Sequence, residues 1–113
     1  MTTGVGINVT SISLTGGDWD VVGWIGWNGS ATFGLLAGDI STSSATRTYE
    51  SSNDVTAPAS AFNALTVGPH TTKIQMHRIS LATTTTVYLV AFSYFSAGTA
   101  FASYGKISAR RVR

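Results

Sequence analysis

Cysteine is absent from all 113 residues, which excludes a disulfide framework, a thiolate metal site and any thiol nucleophile. Stability must come from packing and association. Charge is scarce too: 11% of residues are Asp, Glu, Lys or Arg, against about 25% in an ordinary soluble domain. Set beside 43% hydrophobic residues and three tryptophans, so little charge implies an exterior largely covered in a stable assembly. No apolar run approaches the roughly 18 residues of a spanning helix. The opening MTTGVGINVT lacks a basic stretch followed by an apolar one, so neither a membrane span nor a secretory signal is expected, and synthesis in a cytosol-like environment is. Sustained apolar spacing of three and four is also missing, which leaves helices without a pattern to form on.

What recurs instead is short β-branched and aromatic runs broken by Gly, Ser, Asn and Pro, the mark of an all-β chain. Gly6 to Leu14 reads as a first strand whose apolar residues switch parity between Val9 and Ile12, which predicts a bulge or a crossing between sheets. After the turn TGGD, the stretch Trp19 to Trp27 is apolar on both parities, so both of its faces should be covered. Asn28-Gly29 suits a tight turn, so SATFGLLAG should fold back on the Trp strand. Asp39 to Ala61 reads as exposed loop with one short strand near Thr46 to Glu50, and FNALTV as another strand. In TTKIQMHRISLA, Lys73, Gln75 and His77 should oppose Ile74 and Met76. TTTVYLVAFSYF and TAFASYGKISA, joined by SAGT, predict a long terminal hairpin. About eight antiparallel strands without helices point to a two-sheet β-sandwich or jelly roll, with a small closed barrel as the alternative. The whole is one domain, 1–113, with an N-terminal arm 1–6 and a basic C-terminal tail 110–113.

The formal charge is +2, yet Arg110, Arg111 and Arg113 alone supply three positive charges, so residues 1–109 carry −1. A nucleic-acid binder should show a basic face or stripe instead of one terminal cluster, and the tail lacks interleaved aromatics. The tail therefore reads either as a solvated terminus or as a strand end offering guanidinium groups to acidic protein surface.

Catalytic chemistry finds little footing. Asp18 and Asp20 could share a strand face at a spacing that glycosidases tolerate, but Asp18 follows a Gly-Gly turn, where Asp normally bonds local backbone. His70 and His77 match no metal-ligand spacing, no GxSxG elbow is present and no glycine run forms a phosphate loop. No cofactor or metal is implied, and an enzyme is not expected. The NVT and NGS sequons carry little meaning without a secretory route. Trp19 and Trp27 share one parity and Trp24 takes the other, so one set should fill the core and the other should meet a neighbouring subunit.

SISLTGGDWDVVGWIGW and LATTTTVYLVAFSYFSAGTAFASYGKISARRVR resemble segments of small virion proteins and tail-fibre ends of tailed bacteriophages. The resemblance rests on Gly17-Asp18-Trp19-Asp20, Val87-Tyr88-Leu89-Val90-Ala91, Tyr104-Gly105 and Ala109-Arg110-Arg111-Val112-Arg113. A short chain with its own Met1 looks more like a capsid decoration, or cementing, protein than the end of a long fibre. That resemblance implies a homodimer or homotrimer on the outer capsid surface, made in the host bacterial cytoplasm and bridging major capsid subunits. Trp19, Trp24, Trp27, Arg110, Arg111 and Arg113 are the expected partner-binding residues. A receptor- or carbohydrate-binding module of a phage tail is the alternative, and it predicts exposed aromatic rings around a shallow groove.

Overall fold

The computed structural model describes residues 5–29, 33–46, 55–56, 70–95 and 100–112. Their regular structure is all strand: β1 (Ile7–Leu14), β2 (Gly17–Gly29), β3 (Phe33–Ser41), β4 (Val55–Thr56), β5 (His70–Leu81), β6 (Thr85–Phe95) and β7 (Ala100–Arg111). One antiparallel sheet runs β1-β6-β3-β4 and the other β5-β2-β7. Each sheet is thus built on three long strands, with the two-residue β4 on an edge of the first. About eight strands were expected; of the two without a counterpart, one falls on Thr46, which is not in a strand, and on residues 47–50, and the other on residues 62–67. Apart from Thr46, both lie outside the described residues.

Inner-face side chains from both sheets meet in one cluster. Leu14, Ile40, Val87, Leu89 and Ala91 come from the first sheet, and Val21, Ile25, Trp27, Ile74 and Ile79 from the second. Fully burying such a side chain contributes about 1.5–3 kcal/mol, so this seam is the main source of stability. Glycine sets how closely the sheets approach. A Cβ on Gly38 of β3 would run into the Cδ1 atoms of Ile25 and Ile74, while Leu89 of β6 fills the hollow over Gly23 and Gly105, 3.1 and 3.0 Å from where their Cβ atoms would stand. Gly17, with φ of 133°, takes a backbone conformation closed to most residues and turns the chain from β1 into β2.

The predicted bulge in β1 is present: the register against β6 slips between Asn8 and Thr10. Ile12 and Leu14 thereby stay on the buried side after Ile7 and Val9. A second bulge, on β5, corrects the expected alternation there. Between Val21 and Gly23 of β2 the partner advances from His77 to Ile74, so parity switches and Ile74 and Ile79 both face inward. Met76 is left on the outer side, 65% exposed, instead of sharing the face of Ile74.

Both expected hairpins are also corrected. β3 pairs with β6 and β4, not with β2, because β5 and β7 already occupy the two edges of β2. Asn28 and Gly29 accordingly continue β2, opposite Phe101 and Ala100. β6 and β7 lie in different sheets, so the last two strands form no hairpin. Nor does exposed loop begin at Asp39: β3 runs on to Ser41, and Asp39 and Ser41 are fully buried. The turn that follows is pinned by Asn8, whose Nδ2 donates to Ser44 Oγ at 2.8 Å and whose Oδ1 accepts from Ala45 N at 2.7 Å. The amide of the NVT sequon is thus spent on structure.

Candidate functional site

The outer face of the second sheet gathers half of the chain's twelve Asp, Glu, Lys and Arg residues. Alternation along β2 sends Val21 and Ile25 into the core and turns Asp18, Asp20, Val22 and Trp24 outward. Register then sets what flanks them: Ser80 beside Asp18, Arg78 and Arg110 on either side of Asp20, Ser108 beside Val22, and Lys73 and Lys106 on either side of Trp24. Four of the seven Lys and Arg residues in the chain stand on this one face.

At one end the charges are satisfied. Arg78 donates from Nε to Asp20 Oδ1 at 2.7 Å and from Nη2 to Oδ2 at 3.3 Å, and Arg110 Nη2 donates to Oδ2 at 3.3 Å. The two guanidinium groups close over the carboxylate and leave it 6% exposed. Hydrogen bonding from Arg78 holds the Asp20 carboxyl below its usual range; desolvation opposes this, and Arg110 adds to the lowering. Asp18 accepts from Ser80 Oγ at 2.6 Å. An acid–base carboxylate needs an open face and a pKa near the working pH. A clamped, acidified Asp20 has neither.

At the other end the charges are open. Trp24 meets Tyr104 edge to face, with centroids 5.4 Å apart and planes at 77°, and the Tyr104 ring lies where a side chain on Gly26 would stand. Val22 and Tyr104 remain 43% and 52% exposed. Val22, Trp24, Lys73, Lys106, Thr71 and Ser108 border an open groove of about 530 Å³. Neither lysine forms an ion pair with a described residue. Only the inner face of β2 is fully covered, where both faces were expected to be.

The expected partner-binding residues divide accordingly. Trp27 is wholly buried in the core, and Trp19 packs against it, its Nε1 donating to Thr15 O at 2.9 Å. Trp24 alone of the three faces the groove. Arg110 clasps Asp20, and Arg111 donates to Gly16 O at 3.2 Å with its guanidinium 5.9 Å from the Trp19 ring centre. β7 carries the chain to Arg111, and Val112 N donates to Asp18 O at 2.8 Å, so the tail up to Val112 is bound at the sheet edge. Arg113, His70's side chain and the arm 1–4 lie outside the described residues. His77 stands across from Val21, separated by the bulge from Lys73.

No family model, curated protein or solved structure matches the chain. Among the described residues there is no cluster of three or more metal-ligating side chains, and no helix is long and apolar enough to cross a membrane. Lys73 and Lys106 were missed as site residues. They lie far apart in sequence, and only the β5-β2-β7 register brings them to the same tryptophan.

Proposed function

We propose that this protein is a structural component of a tailed-phage virion, a decoration protein that binds the outer capsid surface and bridges major capsid subunits. One observation carries the reading: the two separated segments of the phage resemblance meet in space. Asp20 pairs with Arg110, Trp19 with Arg111 and Asp18 with Val112, so GDWD and ARRV form one joint between β2 and β7. A shared joint explains why both segments would recur together in a common sandwich. The switch of sheets between β1 and β2, β2 and β3, β5 and β6, and β6 and β7 supports a jelly-roll winding. Such a protein needs no catalytic centre; it stabilises a shell by binding the assembled lattice in preference to free subunits, and self-association about a local axis, as a dimer or trimer, would multiply its grip. The test is its copy number and position on purified virions. Many copies over the shell support the proposal, and absence from the particle ends it.

A second reading, a carbohydrate-binding module of a phage tail, draws on Trp24, an aromatic ring lining the groove, and on the exposed Tyr104 packed edge to face against it. A handful of copies at the tail and binding to host polysaccharide on a glycan array would favour it.

A further inference from the structure

The outer face of the second sheet combines an apolar stripe with cations that no described residue neutralises. Val22, Trp24, Met76 and Tyr104 supply the stripe. Lys73 and Lys106 stand to either side of Trp24, two strand spacings or about 10 Å apart at the backbone. Tryptophan, tyrosine, methionine and arginine are the residues enriched where proteins dock, and a half-buried indole beside a groove is the usual anchor.

From this juxtaposition we infer that the Trp24 groove, with Lys73 and Lys106 as its charged walls, docks an acidic surface of a partner protein whose carboxylates flank an apolar or aromatic centre.

Charge decides the occupant. Four basic side chains and two carboxylates share the face, and Asp20 is already clamped by Arg78 and Arg110, so two copies meeting through it would bring like charges together. A second copy of this chain is therefore the wrong partner for this face. A carbohydrate ring would stack on a flat aromatic platform, but Trp24 and Tyr104 are nearly perpendicular and offer no common plane. Single-stranded nucleic acid would want a basic track with successive stacking rings, and here one indole lies between two isolated lysines. A carboxylate-rimmed protein surface meets both features at once: its acids reach the ammonium groups and its apolar centre covers the stripe. Arg110 and Arg111 take no part, since both are engaged within the fold. This inference rests on the partner being a protein, as in the proposal above, but not on that partner being a capsid.

The test uses the full chain and a random Glu/Tyr copolymer as an acidic, aromatic polypeptide, with poly-glutamate, heparin and oligo(dT) as comparators, all titrated at moderate salt. Binding to the Glu/Tyr copolymer should exceed binding to poly-glutamate. Replacing both lysines, K73Q/K106Q, should weaken it by about tenfold or more, as removal of close interfacial charges does. The pair S13E/T84E produces the same change in net charge at exposed positions on β1 and in the β5–β6 turn and should leave binding within about twofold, as distant surface changes do. Equal weakening by both pairs would reduce the effect to net charge and overturn the inference. So would tighter binding of heparin or oligo(dT), or no preference for the aromatic copolymer. Copolymer binding that behaves as expected, from a protein absent from shells, would remove the capsid and keep the docking face.

Discussion

Arg78, Asp20 and Arg110 form one rung across β5, β2 and β7, and farther along the same strands Lys73, Trp24 and Lys106 form another. Both place a cation on each outer strand and one central residue on β2. With a carboxylate at the centre, the guanidinium forks fold inward, bury it and close the rung. With an indole at the centre, the ammonium groups find no counter-charge among the described residues and the rung stays open. One residue on β2 thus decides whether the same flanking chemistry serves the fold or faces outward.

The contrast breaks if the open rung is only packing, and Trp27, on the inner face of the same strand, sets the scale. Trp27→Ala should cost about 3–5 kcal/mol, as for a buried aromatic, whereas Trp24→Ala, already in part exposed, should cost about 1–2 kcal/mol; urea denaturation measures both. Equal costs would make Trp24 a core residue and not an anchor. Trp24→Asp copies the closed rung into the open one, and it should lower copolymer affinity by about tenfold or more by neutralising the lysines locally.

Asp20→Asn opens the closed rung. Its thermal midpoint at neutral pH should fall below that of the parent. Because the folded-state pKa of Asp20 lies below its usual value near 3.8, the unfolded chain binds the proton more readily, and the rung's contribution is complete above that usual value. It is lost as pH falls through the folded-state value, so thermal scans should show parent and variant converging in strong acid. The smallest effect belongs to the arginines. Arg78→Ala should lower the midpoint more than Arg110→Ala, since Arg78 binds Asp20 through two nitrogens at 2.7 and 3.3 Å and Arg110 through one at 3.3 Å.

Much of this was legible in the sequence strand by strand. β-branched and aromatic runs marked the positions of all six long strands, the parity switch after Val9 announced the β1 bulge, and alternation separated Trp24 from Trp19 and Trp27. Pairing was not legible. Asn28-Gly29 favours a local turn, but β2 gains more by bonding along both edges to β5 and β7 than by folding back on β3, and no local signal reports that competition. The β5 bulge hid the outward turn of Met76 for the same reason: QMH reads as regular alternation until its register against β2 is known. Arg110 and Arg111 looked available because their partners, Asp20 and the Gly16 carbonyl, lie ninety and ninety-five residues upstream and gave no sign of the pairing.

The passage from sheet to sheet at almost every connection also bears on how the molecule is made. β2 cannot complete either of its ladders until β5 and then β7 have been synthesised, so its apolar inner face waits, uncovered, for most of translation. Closure over such separations is slow, because the entropy of long loops is lost before contacts repay it, and folding on the order of milliseconds to seconds is expected for such topologies. While it waits, a long unpaired strand of Trp, Val and Ile is a template for aggregation. Asp18 and Asp20 near its start, charged and solvated before Arg78 and Arg110 arrive, would then act as gatekeepers for the nascent chain.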